Sequence, residues 1–514
     1  MRRKRTASVI VRAVPLVAMA LAAGVVAGGL NAVHSSHPPT RSPQLASAVG
    51  AAGDKPYGVG AAPFAHRPST SCAASACHGG GAIGKAGSEH STWTREAAPS
   101  ATGDPHAKAY SVLFNPVSVR MGQLLGFDGK KEPLPHENTR CLVCHSVAEG
   151  AGGGDDREQF LAEGVGCGGC HGPADKWIAE HTLPSWKARS NESKWKDFGF
   201  VPTKNLVART LNCASCHVGD GTRDMNHDFI AAGHPRLAFE PARFHAQPDY
   251  RKHWTEKAPA RDFEVRVWVV GQAATLRAAV NLLYERARKA ETPNVSHPWP
   301  EFSGYSCFSC HQTIGGDALR GERSATARPV GNPPWEVWAN AGAGVAAETC
   351  GTAFPGVSSP QLLKVQELRK LMGAKREPNP AEVARLALAA RDELDQWLAQ
   401  LQAAEDRELV PVPEGTPRRI AHLLTSRALN GDKLADHDWD ALASTYLGAA
   451  SMWTATGGRG GREALWGEPL ARVYGALKFP PGSNGPVKFG KPELDTIYKQ
   501  LELLRDTTGT PEGK

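Results

Sequence analysis

Apolar and polar residues alternate differently along successive stretches of the chain. Val9 to Leu30 is a run of Ala, Val, Leu and Gly, broken by Arg12 and preceded by Arg2, Arg3, Lys4 and Arg5. A positive start before a weakly apolar run predicts an export segment over residues 1–33, either a signal peptide or a retained N-terminal anchor. The basic residues stay inside and send the rest across the membrane. Residues 34–65, with Pro38, Pro39, Pro43 and many small residues, have no period and predict a flexible linker. Residues 66–318 are rich in Gly and Pro and hold one long periodic segment. There Val265, Val269, Gln272, Leu276, Ala279 and Leu283 recur at helical spacing, with Asp262 as N-cap and an end near Lys289.

From residue 319 the pattern becomes that of amphipathic helices. Ser359-Pro360 opens one, with Leu362, Val365, Leu368 and Met372 on a face. Asn379-Pro380 opens a second, carrying Val383, Leu386, Ala390, Leu394, Trp397 and Leu401. Thr416-Pro417 opens a third, closed by Asn430-Gly431. Each start joins a capping side chain to Pro at the first helical position. Two further helices are predicted from Asp440 to Thr454 and from Pro492 to Arg505. Short connections favour antiparallel packing, so residues 319–514 predict a helical C-terminal domain. No strand-rich segment stands out, and the fold class is mainly α.

The chain has 514 residues and a net charge of +7 spread along its length. No basic stripe interleaves with aromatics, which argues against nucleic acid as a partner. Cysteine changes the picture most. Ten of the 11 Cys fall in pairs that end in Cys-His. Four are Cys-x-x-Cys-His: Cys141, Cys144 and His145; Cys167, Cys170 and His171; Cys213, Cys216 and His217; Cys307, Cys310 and His311. A fifth, Cys72, Cys77 and His78, has four residues between its thiols.

Two thiols a short turn apart can add to the two vinyl groups of a haem, and the next residue then reaches the iron as proximal ligand. One such motif should arise by chance about 0.01 times in a chain of this composition. Zinc knuckles and disulfides also use paired Cys, but neither requires His directly after the second Cys. The motifs therefore predict five covalent haem c groups, with His78, His145, His171, His217 and His311 as proximal ligands. The haems would supply the apolar bulk that residues 66–318 lack. Cys350 stands outside the pairs and reads as a small buried hydrophobe.

Imidazole is the usual second axial ligand, and nine other His lie between residues 70 and 315. His106, His136, His181, His227 and His234 are the leading distal candidates. His181 follows His171 by ten residues, so a short helix can swing it back toward a haem. His136 is too close to Cys141 for its own haem and would serve a neighbour. His227 and His234 are two helical turns apart. His253 and His297 rank below these, and His90 and His245 lower still.

These segments resemble the multihaem cytochromes related to tetrahaem cytochrome c-554, whose haem packing is shared with hydroxylamine oxidoreductase. The matching pieces are Asp104 to Tyr110, Gly164 to Pro173, Ala232 to Leu237 with Phe239-Glu240, and Trp299 to Phe302 leading into Cys307. The resemblance spans roughly residues 70–315. It implies a multihaem core of short helices and loops packed on haems, with His106, His181 and His234 as ligands. The stretched first motif and the count of five depart from the pattern. Two functions follow. The first is electron transfer in the periplasm or on the outer face of the membrane, with other redox proteins or a membrane quinol-oxidising complex as partners. The second is a multihaem oxidoreductase acting on a small nitrogen compound (hydroxylamine, nitrite or nitric oxide) at an open-site haem. No Cys-x-x-Cys-Lys motif is present.

Overall fold

A computed structural model describes residue 56 and residues 64–94, 104–147, 156–247, 253–254, 256, 259–293, 297–311, 332–407, 409–430, 438–458, 461–479 and 489–509. The expected export segment and almost all of the expected linker lie outside these residues. The described chain is mainly helical, as its patterning predicts. Among the described residues the only extended pairing is an isolated antiparallel bridge between Tyr305 and Trp335.

The longer helices are α1 (Leu206–His217), α2 (Ala260–Ala290), α3 (Ala343–Ala353), α4 (Leu363–Ala374), α5 (Pro380–Glu405), α6 (Thr416–Leu429), α7 (Trp439–Ala455), α8 (Gly467–Leu477) and α9 (Lys491–Thr508). Asn379 caps α5 as expected, its Oδ1 accepting the Glu382 N–H at 3.1 Å. α6 begins one residue earlier than a Thr416 cap would place it, with Gly415 at the cap position. Asp262 is not the cap of α2, which already starts at Ala260 after Pro259. Its buried carboxylate instead accepts the backbone N–H of Val412 at 3.0 Å, tying the loop after α5 to α2.

α2 is the axis of the fold. It packs against α1, α3, α5 and α7. Val265, Trp268, Val269, Val270, Leu276 and Val280 are all fully buried, and their positions run round the helix. A helix that is apolar on every side belongs in a core. Among its buried charged residues, Arg277 donates to Asp395 of α5 at 2.7 and 3.2 Å. One apolar core gathers α1 and α2 with the helices after residue 340, from Leu206 to Leu504. Cys350 lies fully buried within it, its thiol donating to the Ala347 carbonyl at 3.2 Å.

The segments that carry the first three Cys pairs pack more thinly. They hold small clusters only, Leu113 with Leu142, Phe160 and Leu161, and Ala174 with Trp177 and Trp186.

Candidate metal centres

Each attachment motif sits on one tight turn, and the turn explains the spacing. Cys141 and Cys144 lie in the helix Thr139–His145, whose first turn is capped by Asn138 Oδ1 accepting from the Arg140 N–H. Residues three apart share a helix face, so the two thiols emerge together. Cys213 and Cys216 do the same in the last turn of α1, capped at its start by Asn205. Cys167 to His171 forms a single turn ended by Gly172 at φ 79°. A Cβ there would stand 2.2 Å from the Gly199 carbonyl oxygen, so only glycine closes this turn.

The stretched motif reaches a similar end by another route. Cys72 ends a 3-10 turn, and the extra residues fold back so that the Cys77 and Gly79 N–H groups both donate to the Ala74 carbonyl. A Cβ on Gly79 would overlap the Ala73 carbonyl oxygen at 1.8 Å, so the fold-back requires glycine. Cys307 to Cys310 is a short turn that leaves His311 just beyond it.

The histidines fall into pairs. His78 faces His181 with ring centres 6.2 Å apart. His145 faces His234 at 6.4 Å. His171 faces His253 at 6.5 Å. His217 faces His106 at 6.0 Å. His311 faces His227 at 6.3 Å. Two imidazoles bound to one metal at about 2.0–2.1 Å each, with ring centres roughly 1.1–1.2 Å behind the ligating nitrogen, stand about 6.2–6.6 Å apart. Four of the five separations fall within the range for a bis-imidazole iron and that of His217 with His106 lies just below it, and in each pair one member follows a Cys pair. The donor set therefore fits five haems.

The second ring nitrogen settles which atom is left to bind. His181 Nδ1 lies 2.7 Å from the Ile178 carbonyl, His234 Nδ1 2.7 Å from that of Pro235, and His145 Nδ1 2.6 Å from that of Ala109. A carbonyl can only accept, so Nδ1 carries the proton and Nε2 keeps its lone pair. His78 Nδ1 meets Glu89 at 2.9 Å, and His106 Nδ1 meets Asp104 at 2.8 Å. Burial works against charge on both carboxylates, yet their histidine partners hold them below the usual range. Burial drives His171 and His217 down to about 4. They are thus neutral imidazoles at pH 7, the form that binds a metal.

Four of the five leading distal candidates stand in such pairs. His136 does not: its ring stacks on Phe114 at 4.4 Å, and its Nε2 lies 3.9 Å from Glu137. His253, ranked lower from sequence, takes the place opposite His171. It lies in an irregular stretch before α2, where no spacing to a Cys pair marks it. Asp104 and Glu89, which orient ligand rings, carry no motif of their own.

The motifs also touch one another. The Cys72 and Cys167 thiols are hydrogen-bonding neighbours, as are those of Cys144 and Cys216. Asn212 Nδ2 donates to the Gly169 and Cys170 carbonyls at 2.9 and 3.2 Å. Motif one therefore meets three, three meets four, and four meets two. Arg236, two residues after His234, joins the fifth, with Nη1 3.4 Å from Cys307 Sγ. Its guanidinium pairs with Asp440 of α7 at 2.9 and 2.5 Å.

A family model described as cytochrome c554 and c-prime matches residues 72–172, the span of the first three attachment motifs. No curated protein and no solved structure matches the chain.

Proposed function

We propose, from the match of residues 72–172 to the cytochrome c554 and c-prime family, that this chain is a c-type cytochrome of the c554 group and a pentahaem electron carrier working outside the cytoplasm. Covalent haem c with a redox role belongs to the group. The count of five rests on the motifs themselves, two of which lie beyond the matched span. The observation that carries the reading is the pairing of all five proximal histidines with a second imidazole at 6.0–6.5 Å.

Bound haem c supplies a one-electron iron(III)/iron(II) couple. The ten paired cysteines would hold it by thioether bonds, and the ten paired histidines would supply two imidazoles to each iron. Carbonyls and carboxylates on Nδ1 fix the ring planes and keep Nε2 toward the metal. With every proximal histidine opposed, no position is reserved for a substrate, which weighs against the nitrogen-compound oxidoreductase. The contacts between motifs support a continuous route for electrons through the molecule.

The basic start and the apolar run from Val9 to Leu30 support export, to the periplasm or to an anchored position facing it. Among the described residues no helix is long and apolar enough to cross a membrane, so any anchor would be that N-terminal run. Other redox proteins or a quinol-oxidising membrane complex are the fitting partners.

Haem content and spin state test the reading together. The purified protein is expected to hold five haems per chain by alkaline pyridine absorbance and to keep them through denaturing electrophoresis. Its oxidised electron paramagnetic resonance spectrum should contain low-spin signals only. A ligand-exchangeable high-spin haem would restore the oxidoreductase, and absence of covalent haem would end the reading.

A further inference from the structure

We propose that Glu336 is a proton-binding site coupled to electron uptake at the fifth attachment motif. The proposal rests on the pentahaem reading and adds a proton to it.

A cavity lies beside this motif, lined among others by Ser303, Tyr305, Arg236, Arg286, Glu336 and Asp440. It belongs to the fifth centre on three counts. Ser303 to Tyr305 lead directly into Cys307, Arg236 reaches the Cys307 sulfur, and Ile230 on its wall shares a short helix with His227. The charges in it are unequal in standing. Arg286 is paired with Asp224 at 2.6 Å, and Arg236 with Asp440 at 2.5 Å. Among the described residues Glu336 has no ion pair: the backbone N–H of Ala339 is the one hydrogen-bonding group set against its carboxylate, and the Tyr305 hydroxyl is buried without a partner.

The backbone holds Glu336 at this place against its own preference. Its φ is 47°, in the left-handed region, where a residue with a side chain costs about 1 kcal/mol or more. The Glu336 N–H donates to the Gly304 carbonyl at 2.8 Å, and the bridge between Tyr305 and Trp335 secures the same point. The conformation places an unneutralised carboxyl in the cavity of a redox centre.

Burial pushes Glu336 up to about 7, with Arg286 and Arg236 pulling it down and Asp440 pushing it further up. Asp438 also faces this region, raised by burial to about 6, but its carboxylate already accepts from the Asp440 and Ala441 N–H groups. Glu336 is therefore the group whose charge can change at neutral pH without breaking an existing pair.

The step balances simply. In the haem-loaded protein, one electron passed from a neighbouring reduced haem to the haem held by Cys307, Cys310 and His311 would remove one positive charge from the site. In a region of low dielectric this raises the proton affinity of a nearby carboxylate. One proton from solvent then binds a Glu336 carboxylate oxygen, and no other bond forms or breaks.

The test is a potentiometric titration of the full-length holoprotein at several pH values, with haem content measured on the same samples. One of the five midpoint potentials is expected to fall by up to about 59 mV per pH unit, the one-electron equivalent of tenfold in proton concentration, above about pH 7, where the carboxyl is ionised beside the oxidised haem and protonated beside the reduced one, and to level off below it. E336Q should flatten that one potential and leave the other four alone, while E336D should keep the slope. Five haems with every wild-type potential independent of pH, or a slope that survives in E336Q, overturns the proposal and leaves the pentahaem reading standing. The wild-type titration decides even if E336Q does not fold. A missing haem at Cys307 to His311 overturns both.

Discussion

At the residue scale, what makes a histidine a ligand here is the atom its ring leaves free. His181, His234 and His145 commit Nδ1 to a carbonyl, and His78 and His106 commit it to a carboxylate. His136 instead stacks on Phe114 and faces no proximal histidine. The two behaviours separate in a measurement. Replacing His253 by alanine is expected to leave His171 as the single axial imidazole of its haem. One of five low-spin signals in the electron paramagnetic resonance spectrum should then convert to high spin. His136→Ala should leave all five unchanged. A spectrum altered by the second variant and not by the first would reverse the assignment of these two residues.

At the element scale, α2 decides how the helices after residue 340 are arranged. Amphipathic patterning makes the buried faces of α4, α5 and α9 legible, and Val365, Leu368, Met372, Leu394, Trp397, Ile497 and Leu501 are indeed buried. α3 is not legible in this way. It is Ala- and Gly-rich and mostly buried, so it offers no contrast between faces. The same burial on every side forces α2 to match its charged residues individually. The ion pair of Arg277 with Asp395 is the main polar link between α2 and α5, with both side chains about nine-tenths buried. Arg277→Met should destabilise the protein by about 3–5 kcal/mol, because it strands the Asp395 charge in the interior. The double variant R277M/D395L should recover most of that loss, since apolar packing of similar volume replaces the pair. Urea unfolding midpoints check both. A double variant no more stable than the single one would show that the pair itself is required.

At the scale of the whole molecule, the attachment region and the C-terminal helices share one core. α2 precedes the fifth motif in sequence, yet its walls are α3, α5 and α7. The fifth motif leans on the same helices, through Arg236 with Asp440 and through Phe308 against Phe489 at 5.2 Å. A chain ended after residue 342 would leave Trp268, Val269 and Leu276 on an open face, an apolar patch that favours aggregation. Such a truncation is expected to give no soluble holoprotein, read as the haem-stained fraction after centrifugation. A soluble, haem-loaded fragment would show that the attachment region folds alone.

The residues by themselves determine the chemistry of attachment and one side of each iron, because thioether formation needs two thiols and an imidazole within a few positions of one another. They also determine the mainly helical class and the start of α5, since caps and apolar periods are local. The other side of each iron is a matter of tertiary structure. His253 reaches His171 across 82 residues of chain, and His106 reaches His217 across 111. No local pattern raises His253 above His136, and only the resemblance at Asp104 to Tyr110 marks His106. Only the packed chain brings two imidazoles to the separation that one iron requires, and only there does a carboxyl such as Glu336 come to lie beside a redox centre.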